Sequence, residues 1–346
     1  MAAGYTPAWQ VSANGIDVTT NLDERLVSLT VTDAEGIKSD TCDIVIDDKD
    51  GEVAIPPKGS KLSVSIGYRE TGLSFMGTYI VDEVRVSFDQ EGRRMKITGH
   101  AADMRETLKE HRTKGYENKT ILEIVTDIAG RHGLTPAVNA QIGAFVNDYV
   151  AQQGESDMHF LTRLAKRHDC IFKVANGRLI FVPRGEAASA SGLSMPNVTI
   201  TPDMVKAYEA TFKDRPAFQK TYATWWDRKK AKLNKEESDD QQNDETSGES
   251  AVDADFGVRH QHPNKDVAKA TANAKQAEND KDTRTMTITV YGDAEIRAEA
   301  TLTVQGVRDR VNDQWRVKQV THSIMNESGF LSIVDCEKPG NGAIGN

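Results

Sequence analysis

The chain has 346 residues, of which 38% are hydrophobic and 27% charged, and this is enough for two or three globular domains. Its apolar runs are too short to cross a bilayer, and its N-terminus has no basic, apolar leader, so we expect neither membrane insertion nor secretion. The formal net charge is −9, but residues 236–256 alone hold nine acidic residues and no basic ones. The remaining chain is therefore neutral, which argues against sequence-specific nucleic-acid binding.

Residues 1–105 are predicted to form a first small β-barrel domain. Trp9–Ala13 and Ile16–Thr20 flank Asn14-Gly15, a two-residue hairpin signal in which both turn positions accept a positive φ. Further short strands follow at the spacing that is typical of a sandwich or barrel. These predicted strands are Leu26–Thr32, Thr41–Ile46, Lys61–Gly67, Tyr79–Phe88 and Arg93–Gly99.

Residues 106–190 are predicted to form an inserted α+β module. A helix over Lys119–Arg131 begins at a capping box formed by Thr120 and Glu123. A second helix over Ser156–Asp169 leads into a hairpin whose turn is Asn176-Gly177. The helix-plus-hairpin pattern separates this module from the strand-rich regions on either side.

A second small β-barrel domain is predicted from residues 197–228 and 284–338, which gives a mainly β, α+β fold. Residues 229–283 interrupt it with an acidic mobile loop and an alanine-rich helix over Lys265–Lys281. Residues 339–346 are glycine-rich and predicted to be a flexible tail.

One hairpin pattern occurs twice, at residues 79–97 and again at 315–333. Tyr79 matches Trp315, and both are predicted to be structural residues of the two domains. The other matched pairs are Leu62 with Leu302, Val64 with Val304, Val81 with Val317, Val84 with Val320, Phe88 with Ile324, Met95 with Leu331 and Ile97 with Ile333. This recurrence indicates duplication. The alternative is a chance match, since any two amphipathic hairpins alternate with period two.

The sequence contains no P-loop, HExxH or GxSxG motif, which favours a non-enzymatic protein. Gly340–Gly345 spells GxGxxG, but no helix follows it to receive a pyrophosphate. The three cysteines are scattered, which disfavours a disulfide framework or a zinc site. His159 and His168 lie nine positions apart, on opposite faces of the predicted helix. We therefore predict no cofactor, no metal and no catalytic residues.

The stretch that combines aromatic and basic residues is a candidate partner-binding site. It contains Trp225, Trp226, Arg228 and Lys229. Such residues stack single-stranded nucleic acid, anchor protein interfaces, or form a strand end with one buried tryptophan and a solvated basic flank. All three interpretations remain open at the level of the sequence.

Two segments, residues 154–182 and 292–330, resemble the phage late-control D family. The first contains the helix and the Asn176-Gly177 hairpin, and the second runs from Gly292 through Trp315 to Phe330. Members of this family are the tail hubs of contractile-tailed phages and are similar to the hub part of type VI secretion VgrG spike proteins. The family's usual glycine before the second hairpin is replaced here by Ala298-Glu299-Ala300, so this turn is expected to differ.

The resemblance implies a homotrimer whose two barrels per chain make a six-fold-like ring. Such a ring would bind the tail tube on one side and the trimeric spike on the other, with tape-measure and baseplate-wedge proteins as further partners. It implies assembly in the host cytoplasm and a final location in the virion baseplate. The alternatives are a tail-associated peptidoglycan hydrolase and the hub of a phage-tail-like bacteriocin or secretion particle.

Overall fold

The computed structural model describes residues 5–36, 40–89, 92–101, 106–175, 177–184, 197–212, 221–227, 230–239, 255–281, 284–325 and 328–338. The helices are α1 (Thr19–Leu22), α2 (Ile121–Arg131), α3 (Ala140–Gly143), α4 (Asp157–Arg167) and α5 (Lys265–Lys281). The strands are β1 (Pro7–Ala13), β2 (Ile16–Asp17), β3 (Leu26–Ala34), β4 (Thr41–Asp47), β5 (Lys61–Tyr68), β6 (Gly72–Asp89), β7 (Gly92–Ala101), β8 (His111–Thr120), β9 (Thr135–Val138), β10 (Val146–Ser156), β11 (Cys170–Ala175), β12 (Arg178–Pro183), β13 (Asn197–Ile200), β14 (Val205–Phe212), β15 (Thr221–Asp227), β16 (Lys232–Glu237), β17 (Phe256–His262), β18 (Arg284–Tyr291), β19 (Thr301–Val304), β20 (Gln314–Met325) and β21 (Gly329–Glu337).

The chain divides into two compact units. The first comprises Met1–Met104, Pro196–Glu209 and Met286–Cys336, and the second comprises the segments between and after them. Among the described residues, no helix combines the length and the apolar character needed to cross a bilayer.

A single 13-stranded sheet dominates the first unit. Its main path runs β14-β18-β21-β20-β3-β4-β7-β6-β5-β1-β2, with β19 and β13 branching from β20. Strands such as β4 bury every second residue, because successive side chains point to opposite faces of a sheet. The buried residues Ile44, Val64 and Met95 belong to one continuous core, which also includes Ile324 and Phe330.

The N-terminal hairpin is shorter than the sequence predicts. The Asn14-Gly15 turn forms with positive φ at both residues, as expected, but β2 ends at Asp17 and α1 begins at Thr19. The Asp17 carboxylate accepts a hydrogen bond from the Thr19 backbone N–H at 2.8 Å. This local bond turns the chain away from the strand predicted over Ile16–Thr20.

The second unit contains the predicted helix-plus-hairpin pattern. Helix α2 begins at the capping box of Thr120 and Glu123, and α4 begins after the Ser156 cap. Strands β11 and β12 form the predicted antiparallel hairpin, and β9 joins β12 in parallel. Strands β8 and β10 form a separate antiparallel pair.

The segment that follows β14 differs from the prediction at two points. Strand β15, assigned from sequence to the second barrel domain, lies instead in a separate sheet of order β16-β15-β17. The tract predicted to be an acidic mobile loop contributes β16 and β17 to this sheet, while its residues 240–254 lie outside the described residues. Helix α5 forms as predicted, and its Ala268 and Ala272 pack against Ala223 of β15. β16 and β17 lack a regular alternation of apolar and polar residues, but the packing of α5 against β15 stabilises the sheet to which they belong.

The fold is α+β and mainly β, as predicted. Both hairpin regions lie in the same branched sheet, and the strand pairings among the described residues do not close either region into a separate barrel. The two regions are connected through β20 and β3, which pair antiparallel from Gln319↔Ala34 to Met325↔Ser28.

Candidate assembly site

Two six-stranded regions of the large sheet share one topology. The N-terminal repeat has the spatial order β3-β4-β7-β6-β5-β1, and the C-terminal repeat has the order β14-β18-β21-β20-β19-β13. If the six strands of each repeat are numbered from 1 to 6 along the chain, the order across the sheet is 2-3-6-5-4-1 in both repeats. One difference is the direction of the outermost strand, since β1 is antiparallel to β5 whereas β13 is parallel to β19.

The strand registers of the two repeats also agree. Leu62 pairs with Tyr79 in the N-terminal repeat, and Leu302 pairs with Trp315 in the C-terminal repeat. The sequence match aligns Leu62 with Leu302 and Tyr79 with Trp315, and the two cross-strand pairs are consistent with that alignment. Tyr79 and Trp315 are both fully buried, and burial raises the pKa of the Tyr79 phenol above its ordinary range. The duplication is therefore a property of the fold and not a coincidence of alternating residues.

The turn before the matched strands is preserved even though its glycine is not. Gly59 has a φ of 85°, and the equivalent Glu299 has a φ of 71°. The Gly59 N–H donates to the Val81 carbonyl at 2.9 Å, and the Glu299 N–H donates to the Val317 carbonyl at 2.7 Å. Glu299 therefore adopts the left-handed backbone conformation that glycine favours, and the turn matches the Gly59 turn of the N-terminal repeat.

The two repeats meet where β3 lies along the second half of β20. Ile324 pairs with Leu29 there, and both side chains are buried. Next to this ladder, Arg316 of β20 lies 2.6 Å from the carboxylate of Glu35, and the Glu35 N–H donates to the Lys318 carbonyl. A buried ion pair and a strand ladder therefore fix the junction between the repeats. We call this pairing of β3 with β20 the internal junction.

The corresponding part of the N-terminal repeat has no such cover. Residues 79–89 of β6 pair with β7 on one side, and β5 covers the other side only along residues 72–80. Phe88 is 78% exposed, whereas its counterpart Ile324 is 6% exposed. We call residues 83–88 of β6 the open edge. The described residues leave this edge without a strand equivalent to β3.

His322 is a further buried titratable residue at the internal junction. One ring nitrogen lies 2.9 Å from the Ser332 hydroxyl, and the other lies 3.1 Å from the Ile296 carbonyl. Burial lowers its pKa to about 4, and the nearby positive charge of Arg297 acts in the same direction. The ring is therefore neutral at physiological pH. Its counterpart on the open edge is Val86, so nothing in the repeat pattern itself predicts a histidine here.

The predicted partner-binding residues separate in the structure. The Trp225 indole N–H donates to Glu236 at 3.1 Å and its side chain packs against the α5 core. Trp226 points to the other face and is 45% exposed beside its cross-strand partner Leu233. Arg228 and Lys229 lie outside the described residues. The alternation of one strand thus assigns one tryptophan to the core and one to the surface.

The other residues singled out in the sequence do not form a catalytic or ligand-binding site in the described part of the chain. Gly177 has a φ of 72° and supports the β11–β12 turn, while Asn176 lies outside the described residues. Cys42, Cys170 and Cys336 are buried thiols. Burial lowers the pKa of His168 to about 4. No group of three or more potential metal ligands occurs among the described residues, and the GxGxxG tail lies beyond them.

Comparison with known proteins agrees with this architecture. A family described as the phage tail baseplate hub (GPD) matches residues 56–328. A probable baseplate hub protein of Escherichia phage P2 is 30% identical, over 96% of this chain and 93% of that protein. The structure of a Neisseria meningitidis tail protein has a TM-score of 0.70 at 13% identity, covering 96% of this chain and 97% of that chain. An E. coli type VI secretion component has a TM-score of 0.57 at 12% identity, over 93% of this chain and 75% of that chain.

Proposed function

Because the chain belongs to the phage tail baseplate hub family, we propose that three copies of it close into a ring that joins the tail tube to the spike. The baseplate hub is a component of the phage virion, and this is where the chain acts. The proposal comprises a ring with three-fold symmetry, binding to the tail tube and to the spike, and a role without enzymatic activity.

The observation that carries this proposal is the shared topology of the two repeats. A chain with two similar β-regions offers two similar faces, so three chains offer six. Six quasi-equivalent faces suit a six-fold tail tube, while the three true copies suit a trimeric spike. The two similar regions within each polypeptide thereby accommodate the mismatch between the six-fold tube and the three-fold spike.

A ring of this kind needs interfaces that point from one chain to the next in the same direction. Such head-to-tail interfaces generate closed rings when the rotation between neighbours closes. The internal junction is an interface of this type, since the β3 edge of one repeat meets the β20 edge of the other. We infer that the same relation, repeated between chains, would complete the ring.

The proposal is tested by measuring mass and binding on the intact chain. Light scattering after size-exclusion chromatography is expected to give three times the 38.1 kDa chain mass. The trimer is then mixed with the purified tail-tube and spike proteins of the same phage, and a complex containing all three is expected. A monomer at micromolar concentration that stays monomeric when the spike is added would contradict the proposal.

Trp226 is proposed as an additional contact for another baseplate component. Its exposed indole forms an apolar pair with Leu233 on one face of the β16-β15-β17 sheet, and tryptophan is enriched among interface anchors. Trp226→Ala is expected to reduce incorporation of the hub into tails without changing its oligomeric mass. Trp225→Phe, which keeps an aromatic ring in the core, is the control for folding, and equal incorporation of the Trp226→Ala chain would contradict the assignment.

A further inference from the structure

We infer that β14 of one chain pairs antiparallel with the open edge, residues 83–88 of β6, in the next chain. This inference rests on the proposed ring and identifies the strands that would close it. The partner is a second copy of this chain, and the interface is a strand ladder of the kind that already joins the two repeats.

Two of the strand edges that the described strands leave uncovered belong to the two repeats and face no partner strand. One is the open edge, where β5 no longer runs beside β6 after Ile80. The other is the outer edge of β14, which ends the main path of the sheet. Exposed edges are templates for pairing with another chain, so a folded protein covers or disfavours them.

The internal junction shows which edges belong together. The shared strand order makes β14 the counterpart of β3 and makes β6 the counterpart of β20. Strand β3 pairs with residues 319–325 of β20, and the hairpin match relates the open edge to residues 319–324 of that segment. Replacing each strand of the internal junction by its counterpart yields β14 against the open edge. This second pairing does not occur within one chain, so it is available between chains.

The side chains of the two edges are suited to such a contact. On the open edge Val84, Val86 and Phe88 share one face, and Val86 and Phe88 are mostly exposed. Their counterparts Val320, His322 and Ile324 lie in the part of β20 that pairs with β3, and all three are buried. Strand β14 is itself largely exposed, including Tyr208. Pairing the two edges would remove the apolar row of β6 from water and satisfy two rows of backbone groups.

The arrangement is directional and therefore self-limiting. Each chain supplies one β14 edge and one open edge, and these are different surfaces, so the contact is head-to-tail. In a ring of three chains, the three internal junctions alternate with three junctions between chains. No edge of either type is left over, which separates this arrangement from open-ended edge-to-edge aggregation.

The inference is tested by cysteine crosslinking in the full-length chain. Ser87→Cys on the open edge is combined in turn with Lys206→Cys, Ala207→Cys, Tyr208→Cys and Glu209→Cys on β14. Residues directly opposite in an antiparallel pair lie within reach of a disulfide bond, and the three native cysteines are buried, which limits background reaction. Scanning four consecutive positions finds the register without assuming it.

A matched control comes from the internal junction. Ser323 is the counterpart of Ser87 and lies opposite Thr30 of β3, so Thr30→Cys with Ser323→Cys should form a disulfide within one chain. After mild oxidation and denaturing, non-reducing electrophoresis, the control is expected to remain at monomer mass. The interchain pairs are expected to give dimers and trimers, with one β14 position reacting at least tenfold faster than its immediate neighbours.

The outcomes separate this inference from the function on which it rests. If the wild-type chain forms a trimer and the internal control crosslinks, but all four interchain pairs stay monomeric, the strand pairing is overturned and the ring stands. If the wild-type chain remains a monomer, the ring itself is overturned. If reduced chains are diluted below the assembly concentration before oxidant is added, the crosslinked trimers should fail to form, which would confirm that the contact belongs to the assembled ring.

Discussion

Phe88 and Ile324 occupy the same position in the two repeats, yet one is 78% exposed and the other 6%. Ile324 lies opposite Leu29 of β3, which covers it, while no described strand plays this part for Phe88. The exposure of this position therefore differs where β3 is present beside one repeat and no described strand lies beside the other. It makes Phe88 the residue whose substitution distinguishes an assembly role from a folding role.

Phe88→Asp is expected to weaken self-association of the chain by roughly 30-fold or more, equivalent to about 2 kcal/mol, which is the range of interface hot spots. A carboxylate placed within a strand interface is desolvated without a partner, so the penalty falls on the assembled state. Sedimentation velocity over a range of concentrations measures the change.

The control for this substitution is Phe75→Asp, which changes another exposed phenylalanine of β6 in the part that pairs with β5. Its self-association should stay close to that of the wild-type chain. Equal weakening by both variants would show that Phe88 has no special position in the interface.

Glu35→Gln is expected to destabilise the first unit, because it removes the negative charge that lies 2.6 Å from the buried Arg316 guanidinium. Breaking a buried ion pair on one side costs about 3–5 kcal/mol, and the Arg316 side chain is only 3% exposed. Urea unfolding followed by tryptophan fluorescence measures this change through the neighbouring Trp315. The exposed pair of Arg25 and Asp50 provides the comparison, since Asp50→Asn should have a much smaller effect. Similar losses in both variants would contradict the structural role of Glu35.

Two glycines with open space around them are expected to respond to alanine in opposite directions. Gly59 has a φ of 85° and no atom within 4 Å of the position that a Cβ would occupy, so Gly59→Ala should destabilise the chain by about 1 kcal/mol through backbone strain alone. Gly130 lies in α2 with equally open surroundings. Gly130→Ala should therefore stabilise the chain by about 0.5–1 kcal/mol. Thermal unfolding measures both, and stabilisation by Gly59→Ala would contradict the account of the turn.

The stability of the first unit is expected to fall between pH 6.5 and about 4 because of His322. Its pKa is lowered to about 4 in the fold, so in this window the unfolded chain binds a proton that the folded chain cannot. At about 1.4 kcal/mol per pKa unit, the loss is about 3 kcal/mol at pH 4 and levels off just below that pH at about 3.5 kcal/mol. His322→Gln should flatten this part of the profile relative to the wild-type chain. An unchanged slope would show that His322 is not responsible.

Regular local patterns allowed much of the fold to be predicted from the sequence. The Thr120 capping box, the β11–β12 hairpin and the alanine-rich α5 follow from spacing and residue type alone. The equivalence of Leu62 with Leu302 and of Tyr79 with Trp315 follows from the repeated hairpin, and the strand registers agree with it. The position of β15 could not be predicted in this way, because its pairing with β16 and β17 is decided by tertiary packing against α5.

The candidate assembly site was predictable only in part. The duplicated hairpin identified Phe88 and Ile324 as equivalent, but not the strand that covers one of them. Strand pairing between segments almost 300 residues apart leaves no local pattern, since alternation indicates which face is buried and not which neighbour buries it. The internal junction, with Glu35 beside Arg316, therefore became visible only in three dimensions.

End-on images of the isolated oligomer, averaged without imposed symmetry, test the central claim most directly. Three chains with two similar repeats each are expected to give six evenly spaced lobes of similar density. Alternate lobes should differ slightly, so that the exact symmetry of the particle is three-fold. A particle with three lobes, a two-fold particle or single chains would contradict the proposal that the repeats act as six docking faces.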